Sequence, residues 1–356
     1  MSLRDELLRL FPQLRRLPPG AYVVGGAVRD LLLDRTPADV DVASSNPLAC
    51  AQSLGRRVIR LGREEHLSAW RVTSGSHVYD FAPIEVDIAH DLARRDFTVN
   101  AMAVDLATGA LHDPFDGRAD LQRRLVRMVD PTNFDDDPLR MLKAVRMAVR
   151  LDFAIDAATV EAIRPRAAAV TSVAAERIEY ELGAIFSASR FATALRLLRL
   201  TDLDVPLFGR LLPSFDVEDV SLAGAYALLL EDPRAFGERW RWSEALLRDV
   251  LALQRLVEHH DLIALYDAGA GVSAQLPAVL RALGRNSDVP MPDFTIRPLL
   301  NGAEITAVTA LPPGPELGRR KRALLEAQIR GEVRTREEAV AKILLPARRG
   351  EGAEGG

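Results

Sequence analysis

The chain has 356 residues, of which 48% are hydrophobic and 27% charged, and a net charge of −4. That length suits two or three domains of ~100–200 residues, and neither the balance of residues nor the charge marks a disordered chain or a strongly basic nucleic-acid binder. No apolar run reaches the ~18 residues of a membrane span, so no membrane is expected, and Cys50, the single cysteine, excludes an intrachain disulfide and a thiolate metal cluster and fits a cytoplasmic setting.

Residues 1–17 read as an amphipathic helix ended by Pro18-Pro19-Gly20. Tyr22–Val24 reads as a strand, Ala27–Leu33 as a short helix, and Asp39–Ala43 as a half-buried strand by its period of two. Pro47–Leu54 is helical, and Val58–Leu61, Trp70–Thr73 and Val78–Phe81 are strands, the last two joined by a hairpin at Gly75-Ser76. Asp96–Leu106 supplies a final element, mostly strand. The predicted class is α+β, a mixed sheet with helices on one face, followed by an all-α region.

Past about Pro138 the strands stop. Leu139–Leu151, Ala157–Arg166, Ala174–Ser187, Phe191–Leu198, Ala223–Leu230, Ser243–His259 and Ala274–Leu283 read as helices, with linkers at Asn286–Pro298 and Leu311–Pro315. Gly350–Gly356, rich in Gly and Glu, reads as a disordered tail. Lysine occurs only at positions 143, 321 and 342, so nearly all cations are arginine, the better fork for phosphate; a bias of the genome towards Arg codons explains the same excess.

The chemistry concentrates in 21-AYVVGGAVRDLLLDRTPADVDVASS-45. Residues i and i+2 of a strand share a face, so Asp39 and Asp41 project together, about 7 Å apart along the chain. Two such carboxylates suit a hard cation such as Mg²⁺, and a pair of ions can clamp both oxygens of a phosphoryl transfer. Gly25 and Gly26 lie between a strand and a helix, where free amides approach a phosphate, and Arg29 follows within the same strand–helix–strand unit.

This layout resembles the polymerase-beta type of nucleotidyltransferase. Further along, 94-RRDFTVNAMAVD-105, 113-DPFDGRADLQRRLVR-127, 135-DDDPLRMLKAVRMAVRLDF-153, 176-ERIEYEL-182, 299-LLNGAEI-305 and 313-PGPELGRRKRALLEAQIRGEVRTREEA-339 resemble, in order, the class II tRNA nucleotidyltransferases and bacterial poly(A) polymerases. The resemblance implies a head domain over 1–137, a nucleotide-selecting neck over 138–200, a tRNA-binding body and tail over 201–349, and a disordered end at 350–356.

It further implies transfer of CMP, AMP or both from CTP or ATP to the 3′ end of tRNA, with Mg²⁺ on Asp39 and Asp41. Arg95 is similar to the family arginine that contacts the incoming nucleotide. Asn100 either bonds the ribose or holds its loop. Asp137 is a good N-cap ahead of Pro138, and the family role adds base choice: an aspartate accepts from the amine of C or A while Arg140 donates to ring acceptors. The acid before it, commonly Glu, is Asp136 here. Lys143 and Arg146 share the Arg140 face and are expected to reach the nucleotide or its triphosphate, with Lys143 standing where the family usually has Arg. Asp80 is either a third carboxylate beside the metals, able to take the proton of the attacking hydroxyl, or an exposed strand residue.

The stretch 113–121 reads as a mostly structural loop, and Glu176, Arg177 and Glu181 as a capping or salt-bridge network. Arg319-Arg320-Lys321-Arg322 suits either RNA phosphate or solvent. The extent of addition bears on the short span APIEVDIAHDLA between Phe81 and Arg94. CCA-adding relatives commonly carry a longer loop there, so the resemblance points to CC addition, with CCA addition, A addition and poly(A) synthesis as alternatives and a decayed RNA-binding protein as a remote one.

Overall fold

Ala21–Val24 forms strand β1, and the chain turns at Gly25 into α2 (Gly26–Leu32). Ahead of them lie α1 (Leu3–Leu10) and a 3-10 helix over Pro12–Arg16. The helix expected to reach residue 17 breaks at Phe11, because Pro12 lacks the amide that would continue it and forces its predecessor out of helical geometry. Then come β2 (Asp39–Ser44), α3 (Pro47–Leu54), β3 (Val58–Leu61), β4 (Ala69–Ser74) and β5 (His77–Pro83). After β5 come α4 (Ile88–Ala93), a 3-10 helix at Thr98–Asn100, β6 (Ala103–Asp105), β7 (Leu111–His112), α5 (Gly117–Arg123) and β8 (Leu125–Val126).

The structure, a computed structural model, describes residues 2–61 and 69–345. Among these, seven strands form one sheet in the order β3-β4-β5-β2-β1-β6-β7. β2 and β5 are parallel and the other neighbours antiparallel, which is the mixed sheet the sequence predicts. One face buries Val40, Val42, Val72, Tyr79 and Phe81, each of about 1.5–3 kcal/mol when fully withdrawn from water. Phe11 meets the edge of Tyr79 on this face, and α3 packs against β2, β4 and β5.

Helices are not confined to that face. Val24, Ala43 and Ala103 form a second apolar cluster with Ile88 and Leu92 of α4. Val24 pairs with Asp41 across β1–β2, so α4 packs on the face that carries the aspartates. The span 84–93, expected only as a short connection, is thus half helix, started by Asp87, whose side chain accepts from His90 N.

Asp96–Leu106 is mostly not a strand. Asp96 Oδ1 accepts from Phe97 N and from Asn100 Nδ2, a local polar arrangement that competes with sheet pairing and bends Thr98–Asn100 into a 3-10 helix. The stretch 113–121 is likewise only partly loop. The Asp113 carboxylate accepts from Gly117 N at 2.6 Å and Arg118 N at 3.0 Å and so starts α5.

α6 (Asn133–Asp136), α7 (Leu139–Leu151), β9 (Ala154–Ile155), α8 (Ala157–Ile163), a 3-10 helix over Arg164–Ser172, α9 (Ala175–Phe186), α10 (Phe191–Leu200) and α11 (Asp204–Phe208) follow. The expectation that strands end near Pro138 fails at β9, which pairs in parallel with β8. α7 and α9 pack together and bury Met141, Leu142, Val145, Ile178, Leu182 and Ile185.

The chain divides into two compact units, Met1–Ser214 and Phe215–Gly356, and the neck expected over 138–200 lies inside the first. The second unit is helical: α12 (Leu222–Leu229), α13 (Pro233–Arg239), α14 (Glu244–Glu258), α15 (Leu262–Ala268), α16 (Ala270–Ser273), α17 (Leu276–Ala282), α18 (Gly302–Thr309), α19 (Pro315–Ile329) and α20 (Arg336–Leu344). The last three close over Leu300, Ile305, Leu324, Ala327, Ala339 and Ile343. Among the described residues no single helix is long and apolar enough to cross a membrane. The expected tail at 350–356 lies outside the described residues.

Candidate active site

Val40 and Val42 are fully buried, which turns Asp39 and Asp41 to the opposite face of β2. The parallel register with β5 sets Asp80 directly beside Asp41, so three carboxylates share one face of two adjoining strands. They are not equivalent. Asp80 is gripped by Arg71 of β4, Nε to Oδ1 at 2.8 Å and Nη2 to Oδ2 at 2.6 Å. Asp39 and Asp41 accept no hydrogen bond from any described residue.

Part of Asp41 stays open to solvent, yet protein crowds its carboxylate. Burial pushes its pKa up; the Arg95 guanidinium opposes this, and the charges of Asp80 and Asp39 add to it. A divalent cation would relieve that repulsion, and two free carboxylates are an oxygen donor set that fits one. Among the described residues no three His, Cys, Asp or Glu side chains gather closely enough to enclose an ion, so remaining ligands have to come from water or a bound phosphate. Among the described residues the other His-Asp pairs have structural roles: Asp261 caps α15, and His90 and Asp91 belong to α4.

Gly25 caps α2 with φ +72°, a conformation that favours glycine. A Cβ there would stand 2.8 Å from Arg95 Nη1 and 3.6 Å from Asp41 Oδ2. The turn therefore lies beside both the arginine and the metal-binding candidate. Gly26 opens α2 beneath the Arg29 guanidinium. Arg29 donates to Asp30 Oδ1 and, through Nη1 at 2.7 Å, to Asn100 Oδ1, while Asn100 Nδ2 donates to Asp96. Asn100 thus holds its loop to α2, one of the two roles the sequence left open for it.

The packing of α4 on the aspartate face explains where Arg95 lies. Its guanidinium donates to Asp91 Oδ2, one helical turn earlier, at 3.2 and 3.1 Å, and this partly buried pair directs it over Gly25. Arg94 points elsewhere, to an exposed pair with Glu85.

The residues expected to read the base lie around the start of α7. Asp137 Oδ1 accepts from Leu139 N at 3.3 Å, as an N-cap should, and Oδ2 accepts from Arg177 of α9 at 2.9 Å. Arg140 Nη1 donates to Asn133 O at 3.1 Å, with the rest of its fork uncommitted. Asp136 is exposed. Lys143 makes no hydrogen bond or ion pair among the described residues and lies near enough to Glu181 to feel its charge. Arg146, expected to reach the nucleotide, instead gives Nε to Glu181 at 2.5 Å. Glu181 is buried, which pushes its pKa up against the pull of Arg146. Arg177 and Glu181 thus each brace α7 from α9 through separate pairs, while Glu176, expected in the same network, makes no hydrogen bond or ion pair among the described residues.

Sequence reasoning missed Asp91, Arg71 and Asn133. Asp91 was legible as an i, i+4 partner of Arg95 had the helix been expected; the other two depend on register and tertiary contact. The Arg319-Arg320-Lys321-Arg322 run is largely answered within its own unit: Arg319 and Arg320 pair with Glu316, and Arg322 pairs with Asp267 and Glu326.

Residues 21–127 match the family described as the poly A polymerase head domain, and residues 152–217 match the probable RNA- and SrmB-binding site of polymerase A. The chain is 33% identical to the A-adding tRNA nucleotidyltransferase of Deinococcus radiodurans, over 95% of this chain and 98% of that one. It is 30% identical to the CC-adding tRNA nucleotidyltransferase of Thermus thermophilus, over 92% and 94%. Among solved structures, the Bacillus stearothermophilus CCA-adding enzyme in complex with CTP superposes with a TM-score of 0.75 at 25% identity, covering 97% of each chain.

Proposed function

The chain belongs to the tRNA nucleotidyltransferase and poly(A) polymerase family and is an enzyme of that type, and from this premise we propose that it adds CMP to the 3′ end of tRNA. The observation that carries the reading is the placement of the Gly25 turn beside both Arg95 and Asp41, on the sheet face that also bears Asp39.

The family uses divalent metal, and we take Mg²⁺ as the ion, held by Asp39 and Asp41. When bound, the metal withdraws charge from the phosphoryl oxygens and from the attacking hydroxyl. The turn at Gly25 and Gly26 lets a triphosphate come close to the backbone, and Arg95 donates to it from above. Arg29, already tied to Asp30 and Asn100, stabilises that turn and adds positive potential. Asp137 accepts from the exocyclic amine of the base and Arg140 donates to its ring acceptor, so C and A satisfy both groups while G and U, with a carbonyl and a ring N–H in those places, satisfy neither. Lys143 supplies a free cation beside them; Arg146 acts through Glu181 by holding α7 in place. Asp80 orients Arg71 and adds negative charge next to Asp41. Both its oxygens are engaged by Arg71, so it is given no role beside the attacking hydroxyl.

The restriction to CC addition rests on the connection after β5, where four residues, 84–87, lead straight into α4 and leave no long loop. A addition is the second reading, favoured by the Deinococcus relative. The second unit is read as the tRNA-holding part, in a cytoplasmic enzyme. The test offers tRNA ending before CCA, after C and after CC, with CTP and ATP separately. Extension by two C residues with none of A supports CC addition; a single A on the CC-ended tRNA with no C added to the others replaces it with A addition, and both products together replace it with CCA addition. No incorporation of either nucleotide while tRNA still binds would overturn the enzymatic reading.

A further inference from the structure

Asn133 stands where the two halves of the candidate site meet. It is 5% exposed. Its side-chain amide nevertheless spends both N–H donors on the segment that carries Arg95: Nδ2 donates to Ala93 O at 3.0 Å and to Arg95 O at 2.9 Å. Two carbonyl acceptors leave only one orientation for the amide. Its backbone carbonyl turns the other way. Asn133 O accepts from Asp137 N at 3.4 Å and from Arg140 Nη1 at 3.1 Å. One residue therefore fastens the arginine above the phosphate turn, through its side chain, to both base-reading residues, through its main chain.

Ala93 O lies at the C-terminal end of α4, where helix carbonyls lack an intrahelical partner, so Asn133 satisfies a half-buried group the helix leaves open. A stabilising contact would need no more than that. The relay goes further: α6 is only four residues long and starts at Asn133, so movement of its first turn against Arg95 is passed directly to Asp137 and Arg140.

We propose that Asn133 is a positioning residue that sets the distance between the triphosphate site and the base site, and so sets nucleotide discrimination. The proposal rests on the roles given above to Arg95, Asp137 and Arg140. A base that reads correctly at Asp137 and Arg140 reaches Arg95 with its phosphates only while Asn133 holds the two in register. Loosening that tie lets a wrongly paired base shift until its phosphates fit, so selectivity falls more than fold stability does.

The test uses the full chain and the variants Asn133→Asp, which keeps the shape but loses both donors, Asn133→Ala, and Asn133→Ser, which retains one donor. Equilibrium binding of CTP, ATP and UTP is measured with Mg²⁺ present, together with thermal midpoint and incorporation into tRNA. The preference for the accepted nucleotide over UTP is expected to fall about tenfold in Asn133→Asp and Asn133→Ala, and by less in Asn133→Ser, as for loss of a specificity contact. Adding Asn133→Ala to Arg140→Ala should cause a smaller further loss of preference than Asn133→Ala causes alone, since the tie acts in part by placing Arg140. Asp135→Ala, which removes an exposed pair with Arg166 in the same short helix, should leave the preference unchanged. Variants that melt earlier but keep the wild-type preference, or losses that add in the double variant, would overturn the proposal. Wild type that binds CTP or ATP selectively but does not extend tRNA would sink the proposed activity alone, because the Asn133 series is still read by binding. Wild type without nucleotide preference would sink both.

Discussion

Arg177 of α9 donates to the Asp137 carboxylate at 2.9 Å, so the acid at the start of α7 is aimed by a helix that begins 38 residues later (175 − 137). Its second oxygen is aimed by Leu139 N. Arg177→Ala should release the carboxylate to other rotamers and lower kcat/KM for the accepted nucleotide about tenfold. Discrimination against UTP should fall with it, while tRNA affinity is unchanged. Steady-state kinetics with each nucleotide reads this out, and equal losses for every nucleotide would refute an orienting role.

Asp39→Ala and Asp41→Ala each remove an unpaired carboxylate from the exposed face of β2, not a packing contact. Transfer should drop by about 10³-fold or more, as expected when charge stabilisation at a reacting phosphate is lost. Asp80→Ala should cost much less activity but should free Arg71. Labelled CTP incorporation across the three variants at saturating Mg²⁺ ranks them, and an Asp80 effect as large as the others would give it a direct catalytic role.

Burial and the neighbouring carboxylates raise the Asp41 pKa, so its ionisation weakens the metal-free fold. The sign follows from linkage. A raised folded-state pKa means the folded protein holds this proton more tightly than the unfolded chain, so the group's contribution to stability falls as pH rises from about 3.9 through the folded-state value. Asp41→Asn should therefore raise the thermal midpoint of metal-free protein at pH 7, and the gain should vanish below about pH 4. Mg²⁺ should stabilise wild type more than the variant. In thermal melts across this range, equal midpoints at pH 7 would count against the strained carboxylate.

Gly25→Ala places a methyl 2.8 Å from Arg95 Nη1 in a left-handed conformation. With ψ at −133° this backbone lies near the region essentially confined to glycine, so the strain alone costs about 1–3 kcal/mol, which leaves a folded protein. Arg95 must give way, however, so nucleotide affinity should fall by about tenfold or more. Calorimetric titration with CTP measures it; unchanged affinity would show that Arg95 does not act from above the turn.

Much of the sheet and the heart of the site were legible because they depend on local rules. Period-two alternation exposed Asp39 and Asp41, and a double glycine between strand and helix marked the turn that Arg95 covers. Asp137 was legible as a cap from its neighbour Pro138. The misreadings occur where short polar segments choose between near-equal local conformations. Asp96 and Asn100 draw the chain into a 3-10 helix where a strand was expected, and Asp87 and Asp113 each start a short helix in what read as loop.

By itself, the sequence determined which side chains bear charge on the site face and which backbone positions can bend to receive phosphate, because strand periodicity and glycine stereochemistry act within a few residues. Only the tertiary structure decided how those charges are spent. Arg71 reaches Asp80, Glu181 claims Arg146, and Asn133 joins the Arg95 segment to Asp137 and Arg140, because sheet register and helix packing bring together residues far apart in the chain, whose pairing no local pattern encodes.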